Sequence, residues 1–228
     1  ITILSAKMAS IRAIQGHEAD ISAIKYKEGD EEKFQLQAQT TDKLIVFATN
    51  GKFYTLPCDK IPRGKGHGEP VKLMFDMGED DVVDMFVYAP DKKLLVASTA
   101  GKGFIIDAVD VEAQTRNGKQ ILNSPPGHKA AVCRPVEGDH VAVIGDNRKL
   151  LVFPLDQVPP MKKGQGVTLQ KYKDGHLSDL KCFARKEGLS WVSGKREFVE
   201  KDLRAWIGNR AGVGKMPPQG FPRSNTFA

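Results

Sequence analysis

The stretch "IPRGKGHGEP", Ile61 to Pro70, sets three glycines and two cations between prolines. Glycine lets a partner come close to bare backbone, and Arg63 and Lys65 beside it favour an anion. The chemistry that fits is phosphate binding by cations and by the N–H groups of Gly64 and Gly66. Comparable basic stretches follow at Arg116 to Lys119, Lys162 to Gly166 and Arg210 to Lys215. None is a nucleotide-binding P-loop. The nearest match ends on Gly214-Lys215, but has Asn209 where glycine is required and Met216 where Ser or Thr must stand. The Gly64/Gly66/Gly68 spacing is not a dinucleotide fingerprint, and prolines on both sides argue against a helix opening there.

Other chemistry is weakly represented. His17, His67, His128, His140 and His176 stand at no metal-ligand spacing, so the sequence implies no metal site. Cys58, Cys133 and Cys182 form neither a disulfide framework nor a CxxC pair, which suits a reducing cytosol. No Ser/His/Asp or Cys/His set stands out, so no catalytic residue is assigned. Asp59, Asp110, Asp156 and Asp202 each follow an apolar hairpin and read as turn caps. Trp191, Trp206, Phe47, Phe53, Phe104 and Phe153 read as core. The basic loops have almost no aromatics on which bases might stack, so the expected ligand is a duplex held by its phosphates.

These loops are positioned by a repeat: an apolar run, a tight turn with Gly or Asn and a cation, a second apolar run, an Asp, then the basic loop. The copies begin "KLIVFATNGKFYTLP" at Lys43, "LLVASTAGKGFII" at Leu94, "VAVIGDNRKLLVF" at Val141 and "LSWVSGKREFV" at Leu189. Ile1 to Ile14 is a weaker first copy, with Ala9-Ser10 at the turn. Gly51, Gly101, Asn147 and Gly194 lie roughly 46 to 50 residues apart, as blades of a radial β-fold would. The reading is all-β, with about five units at 1–42, 43–92, 93–139, 140–187 and 188–215, and a flexible Pro/Gly/Ser-rich tail at 216–228. Stretches such as Val71–Phe75 and Val82–Tyr88 supply the remaining strands, and Lys201–Ile207 is helix-like. The ring of blades is either closed or an open C.

Turn cations Lys102, Arg148, Lys149, Lys195 and Arg196 join Arg63, Lys65, Arg116, Lys119, Lys162, Lys163 and Arg210 as expected phosphate contacts. Acidic runs at Glu28 to Glu32 and Gly78 to Asp84 fall in the opposite connections, so the basic loops are expected to form a band. A net charge of +6 over 228 residues agrees with an anionic partner, and no apolar run is long enough to span a membrane. The chain opens on strand-like Ile1-Thr2-Ile3-Leu4 and reads as a fragment of a longer protein.

"GKFYTLPCDKIPRGKGHGEPV" and "KKLLVASTAGKGFIIDAVDVEAQTRNGK", with "RKLLVFPLDQVPPMKKGQG" and "IRAIQGHEADISAIKYKEGD", resemble the C-terminal domains of bacterial topoisomerase IV A subunits, relatives of the gyrase A domain. The resemblance covers essentially the whole chain. It implies a β-pinwheel, a propeller-like disc of about five four-stranded blades. The implied role is non-catalytic DNA binding and bending within an ATP- and Mg-dependent type IIA topoisomerase. That enzyme relaxes supercoils and decatenates chromosomes for segregation, in the cytoplasm at the nucleoid, and its implied partner is a B subunit. No cofactor is implied for this domain. The gyrase box QRRGGKG is absent, and Arg63-Gly64-Lys65-Gly66 resembles a shorter remnant. Tyr26, Tyr54, Tyr88 and Tyr172 lie in or near the repeat strands and do not take the DNA-cutting role.

Bending energy favours a bend over a wrap. Turning about 30 base pairs through half a circuit costs on the order of 15 kcal/mol, against roughly 4 kcal/mol for about 90°. The alternative from the sequence is a protein-interaction propeller whose basic edge is incidental.

Overall fold

The computed structural model describes residues 1–6, 10–16, 32–64 and 66–228, so His17, Tyr26, residues 28–31 and Lys65 lie outside the described residues. In chain order the strands are β1 (Thr2–Ala6), β2 (Ser10–Ile14), β3 (Glu32–Gln37), β4 (Lys43–Ala48), β5 (Lys52–Pro57), β6 (Glu69–Pro70), β7 (Val82–Val87), β8 (Lys93–Ser98) and β9 (Lys102–Asp107). They continue as β10 (Lys119–Gln120), β11 (Ala130–Pro135), β12 (His140–Gly145), β13 (Leu150–Pro154), β14 (Val167–Thr168), β15 (Leu177–Phe183), β16 (Leu189–Ser193) and β17 (Arg196–Glu200). The chain forms two compact units, Ile1–Pro90 with Val111–Gln120, and Asp91–Asp110 with Ile121–Ala228.

The first unit holds two four-stranded antiparallel sheets, β3-β1-β2-β6 and β10-β5-β4-β7. The run "LIVFA" of β4 is buried throughout, as a strand covered on both faces must be. Ile3, Ile11 and Ala13 of one sheet pack with Leu44, Val46 and Tyr54 of the other. Each fully buried aliphatic side chain contributes about 1.5–3 kcal/mol.

The second unit holds β11-β8-β9-β14, then β13-β12-β15, then the hairpin β16-β17. Strand β12 shows the period-two logic directly. Val141 and Val143 face a core shared with Leu95 and Val132. Ala142 and Ile144 face the opposite way, onto Trp191, Phe221 and Phe227.

The fourth strand of each complete sheet arrives from the next repeat. Residues 69–70 follow the β4-β5 hairpin yet pair with β2; residues 119–120 follow β8-β9 yet pair with β5; residues 167–168 follow β12-β13 yet pair with β9. The last two sheets fall short of the expected four strands. In place of a donated strand, β13 has a single antiparallel bridge, Lys215 at Leu150, and Pro217 and Pro218 just beyond cannot extend it into a ladder.

Three local expectations are corrected. Val71–Leu73 is a short 3₁₀ turn rather than a strand, capped by Pro70, with Val71 and Phe75 buried and Leu73 exposed. Lys201–Ile207 makes a single turn, with Trp206 and Ile207 N–H groups both donating to the Leu203 carbonyl. The tail does not fray. Its Pro/Gly/Ser composition hid two aromatics, Phe221 and Phe227, that seal the core around Trp191 and are 5 % and 4 % exposed.

Candidate nucleic-acid interface

Each basic loop runs between two anchors on the free edge of a hairpin's second strand. The first anchor is a parallel stitch. Ala13 donates its N–H to the Pro62 carbonyl at 2.7 Å and accepts from Gly64 at 3.2 Å. Ile105 donates to Pro159 at 3.0 Å and accepts from Met161 at 2.9 Å; Val152 donates to Trp206 at 3.0 Å and accepts from Gly208 at 2.8 Å. On β5 the stitch passes through a side chain, with Ala113 N–H donating to Thr55 Oγ1 at 2.9 Å, and Lys43 pairs with Glu112 close by. The Glu112 carboxylate holds the Lys43 ammonium above its ordinary pKa.

The second anchor is the donated strand itself: β6 on β2, β10 on β5, β14 on β9, and Lys215 on Leu150 with N–O distances of 2.7 and 2.9 Å. A loop fixed at both ends cannot wander far. Each loop is therefore held along one edge of its own sheet.

One glycine in each loop serves the second anchor. Gly68, Gly118, Gly166 and Gly214 precede the donated strands with φ between 77° and 84°. A Cβ there would come within 2.5 Å of the Ile11 carbonyl oxygen, 2.9 Å of Phe53, 2.2 Å of Gly103 and 2.5 Å of Leu150. What presses on this bare backbone is a neighbouring strand. Gly64 lies in open space, but its N–H is engaged with Ala13 and is not free for an anion. Gly66 also faces open space.

The expected cations divide into two groups. Arg63, Lys119, Lys162, Lys163 and Lys195 are exposed, and among the described residues no protein group holds their side chains. Lys102 and Lys149 are half-buried at hairpin turns. Arg196 is exposed and lies 5.4 Å from the Phe198 ring centre. Three arginines are engaged in the protein instead. Arg148 donates to the Pro222 carbonyl at 2.9 Å, to Asn225 Oδ1 at 3.0 Å and to the Phe221 carbonyl at 3.3 Å. Arg210 donates to the Thr168 carbonyl at 2.9 Å. Arg116 donates to the Leu73 carbonyl at 3.0 Å and lies 3.9 Å from Asp76.

Two further cations occupy repeat positions, Lys215 exposed and Lys52 half-buried. Lys52 opens β5, one position after Gly51 as Lys102 follows Gly101, and its Nζ donates to the Asn117 carbonyl at 3.3 Å. Lys215 follows Gly214 as Lys119 follows Gly118. Both repeats were legible in the sequence. The acidic run separates from the basic loop in the second sheet, where β7 and β10 take opposite edges. Asp80 accepts from Thr49 Oγ1 at 2.8 Å on the β7 side. Asp76 crosses that division by meeting Arg116.

Residues 42–88, 92–130 and 139–180 match the family model described as DNA gyrase C-terminal domain, beta-propeller. Among curated proteins, the A subunit of DNA topoisomerase 4 from Rickettsia bellii is 53 % identical over 228 residues, covering 100 % of this chain and 31 % of that protein. Its counterpart from Caulobacter vibrioides is 41 % identical over 231 residues, covering 100 % of this chain and 30 % of that protein. The chain thus spans about a third of the length of these relatives. Among solved structures, the E. coli ParC C-terminal domain superposes with a TM-score of 0.83 at 25 % identity, covering 97 % of this chain and 95 % of that one. A DNA gyrase A C-terminal domain gives 0.55 at 15 % identity, over 96 % of each chain, a likeness of fold.

Proposed function

The chain belongs to the DNA gyrase C-terminal domain family of β-propellers, and from that premise we propose that it is a non-catalytic module that binds and bends duplex DNA. The module acts within the A subunit of a topoisomerase IV, whose remaining parts and B subunit supply cleavage, ATP and Mg²⁺ chemistry at the nucleoid. Phosphates meet Arg63, Lys102, Lys119, Lys149, Lys162, Lys163, Lys195 and Arg196, joined by Lys52 and Lys215. Lys65 and the Gly66 N–H complete the first loop.

One observation carries the reading. Successive repeats present exposed cations on loops tethered at the same two points of their sheets. A duplex offers a regular array of phosphates, and a repeated scaffold matches a repeated ligand without reading bases. The loops carry no aromatic stacking platform, which favours double over single strands. The cost of curvature sets the mode: a bend near 90° over about 30 base pairs costs roughly 4 kcal/mol, within reach of several phosphate contacts.

Energy transfer between dyes at the ends of a 30-base-pair duplex tests this reading. Addition of the chain raises transfer efficiency at low salt and leaves it unchanged at high salt. Binding with no change in end-to-end distance contradicts bending, and no binding at low salt contradicts the whole reading.

A further inference from the structure

Two histidines from neighbouring repeats meet in the second unit, just before β11 and β15. The rings of His128 and His176 are 5.6 Å apart between centroids and tilted by 56°. His128 Nδ1 lies 2.9 Å from Thr99 Oγ1, and His176 Nδ1 lies 3.2 Å from Asp146 Oδ2. Asp146 Oδ1 also accepts the His176 backbone N–H at 2.8 Å. Among the described residues neither Nε2 has a hydrogen-bond partner.

The local fold does not require imidazole here. Thr99 closes the start of β11 by accepting the Lys129 N–H at 3.2 Å, and Thr49 closes the start of β7 in the same way by accepting from Asp81 at 3.0 Å. In that second copy the hydroxyl binds Asp80 where the third sheet has His128.

We propose that His128 and His176 form a two-imidazole chelate for a borderline divalent transition ion of the Zn²⁺, Ni²⁺ or Cu²⁺ class. The ion binds through the two Nε2 atoms, with water filling the remaining positions. Imidazole ligands of metals have their second nitrogen fixed by an oxygen, which sets tautomer and ring direction. Thr99 and Asp146 supply that oxygen. Two imidazoles that share an ion at about 2.0–2.1 Å have ring centres roughly 5 Å apart, close to the spacing observed. Hard ions such as Mg²⁺ prefer oxygen and are poor occupants. Among the described residues no three His, Cys, Asp or Glu side chains converge, so a closed structural zinc site is excluded there and the coordination sphere stays open. The sequence hid the pair because its members come from different repeats.

Calorimetric titration of the 228-residue chain with ZnSO₄ tests the assignment, with MgSO₄ as control. One Zn²⁺ binds per chain and Mg²⁺ does not. His128→Gln and His176→Gln each weaken Zn²⁺ binding at least tenfold, Asp146→Asn weakens it severalfold, and His140→Gln leaves it unchanged. An ion held between two repeats binds only the folded chain. Free Zn²⁺ tenfold above its Kd therefore raises Tm by about 4 °C, reversed by EDTA. Nitrogen-15 spectra report the ligand atoms independently of affinity: Zn²⁺ shifts the two Nε2 resonances and spares those of His140. No binding at millimolar Zn²⁺, parent-like affinity in either Gln variant, or unshifted Nε2 resonances would overturn the proposal.

Discussion

The guanidinium of Arg148 donates to Asn225 Oδ1 at 3.0 Å and so ties the end of the chain to the turn between β12 and β13. A residue whose type and place suggest phosphate contact is therefore a clasp. Arg148→Lys separates the two roles, because lysine keeps the charge and loses the fork that reaches three acceptors. Denaturant unfolding of this variant shows a loss of about 1–2 kcal/mol, while duplex affinity stays within twofold. Unchanged stability with a large loss of affinity reverses the assignment.

The loop glycines differ in what surrounds them. At Gly166, φ is 79° and an added Cβ meets the Gly103 carbonyl oxygen at 2.2 Å, whereas nothing lies within 4 Å of Gly66. Gly166→Ala destabilises the chain by about 2–3 kcal/mol. Gly66→Ala changes stability by no more than about 0.5 kcal/mol. Equal effects in thermal unfolding contradict the docking role of Gly166.

Burial pushes the Cys58 and Cys182 thiols up to about 11 from an ordinary 9.0, with desolvation the largest cause. The folded chain holds these protons more tightly than the unfolded chain. Their contribution to stability is present below pH 9.0 and is lost as the pH rises toward about 11. Stability measured across that window falls, and Cys58→Ala with Cys182→Ala flattens the fall. A thiolate reagent at neutral pH labels the native chain only through unfolding. Rapid native labelling contradicts this.

Much of the fold was legible because it repeats. The hairpin at Asn50-Gly51 and its copies announce β4-β5, β8-β9 and β12-β13, and the buried runs follow from continuous aliphatic stretches. The donated strands were not legible. Two-residue pairings such as Lys119-Gln120 on β5 carry no periodicity, and their partners are set by packing across repeats. For the same reason Val71–Leu73 passed for a strand: Val71 and Phe75 point inward from a 3₁₀ turn, which apolar content alone cannot distinguish. Among the candidate cations, residue type marked the basic loops but not which side chains the protein itself engages. Arg148, Arg116 and Arg210 read like Lys162 until the carbonyl oxygens around them are seen. Lys52 and Lys215 show the converse, since their repeat positions were visible and only their place beside the donated strands gives those positions meaning.

The central claim is that loop cations meet duplex phosphates, and the salt dependence of binding tests it most directly. Anisotropy of a labelled 30-base-pair duplex, titrated with the chain at several salt concentrations, gives the slope of log Kobs against log salt, about −0.9 for each phosphate neutralised. Lys162→Ala with Lys163→Ala removes two exposed cations from one anchored loop without touching either anchor. The account predicts weaker binding on every duplex sequence tried, and a slope shallower by about two, with unfolding unchanged. An unaltered slope, or an affinity that ignores salt in the parent chain, contradicts it.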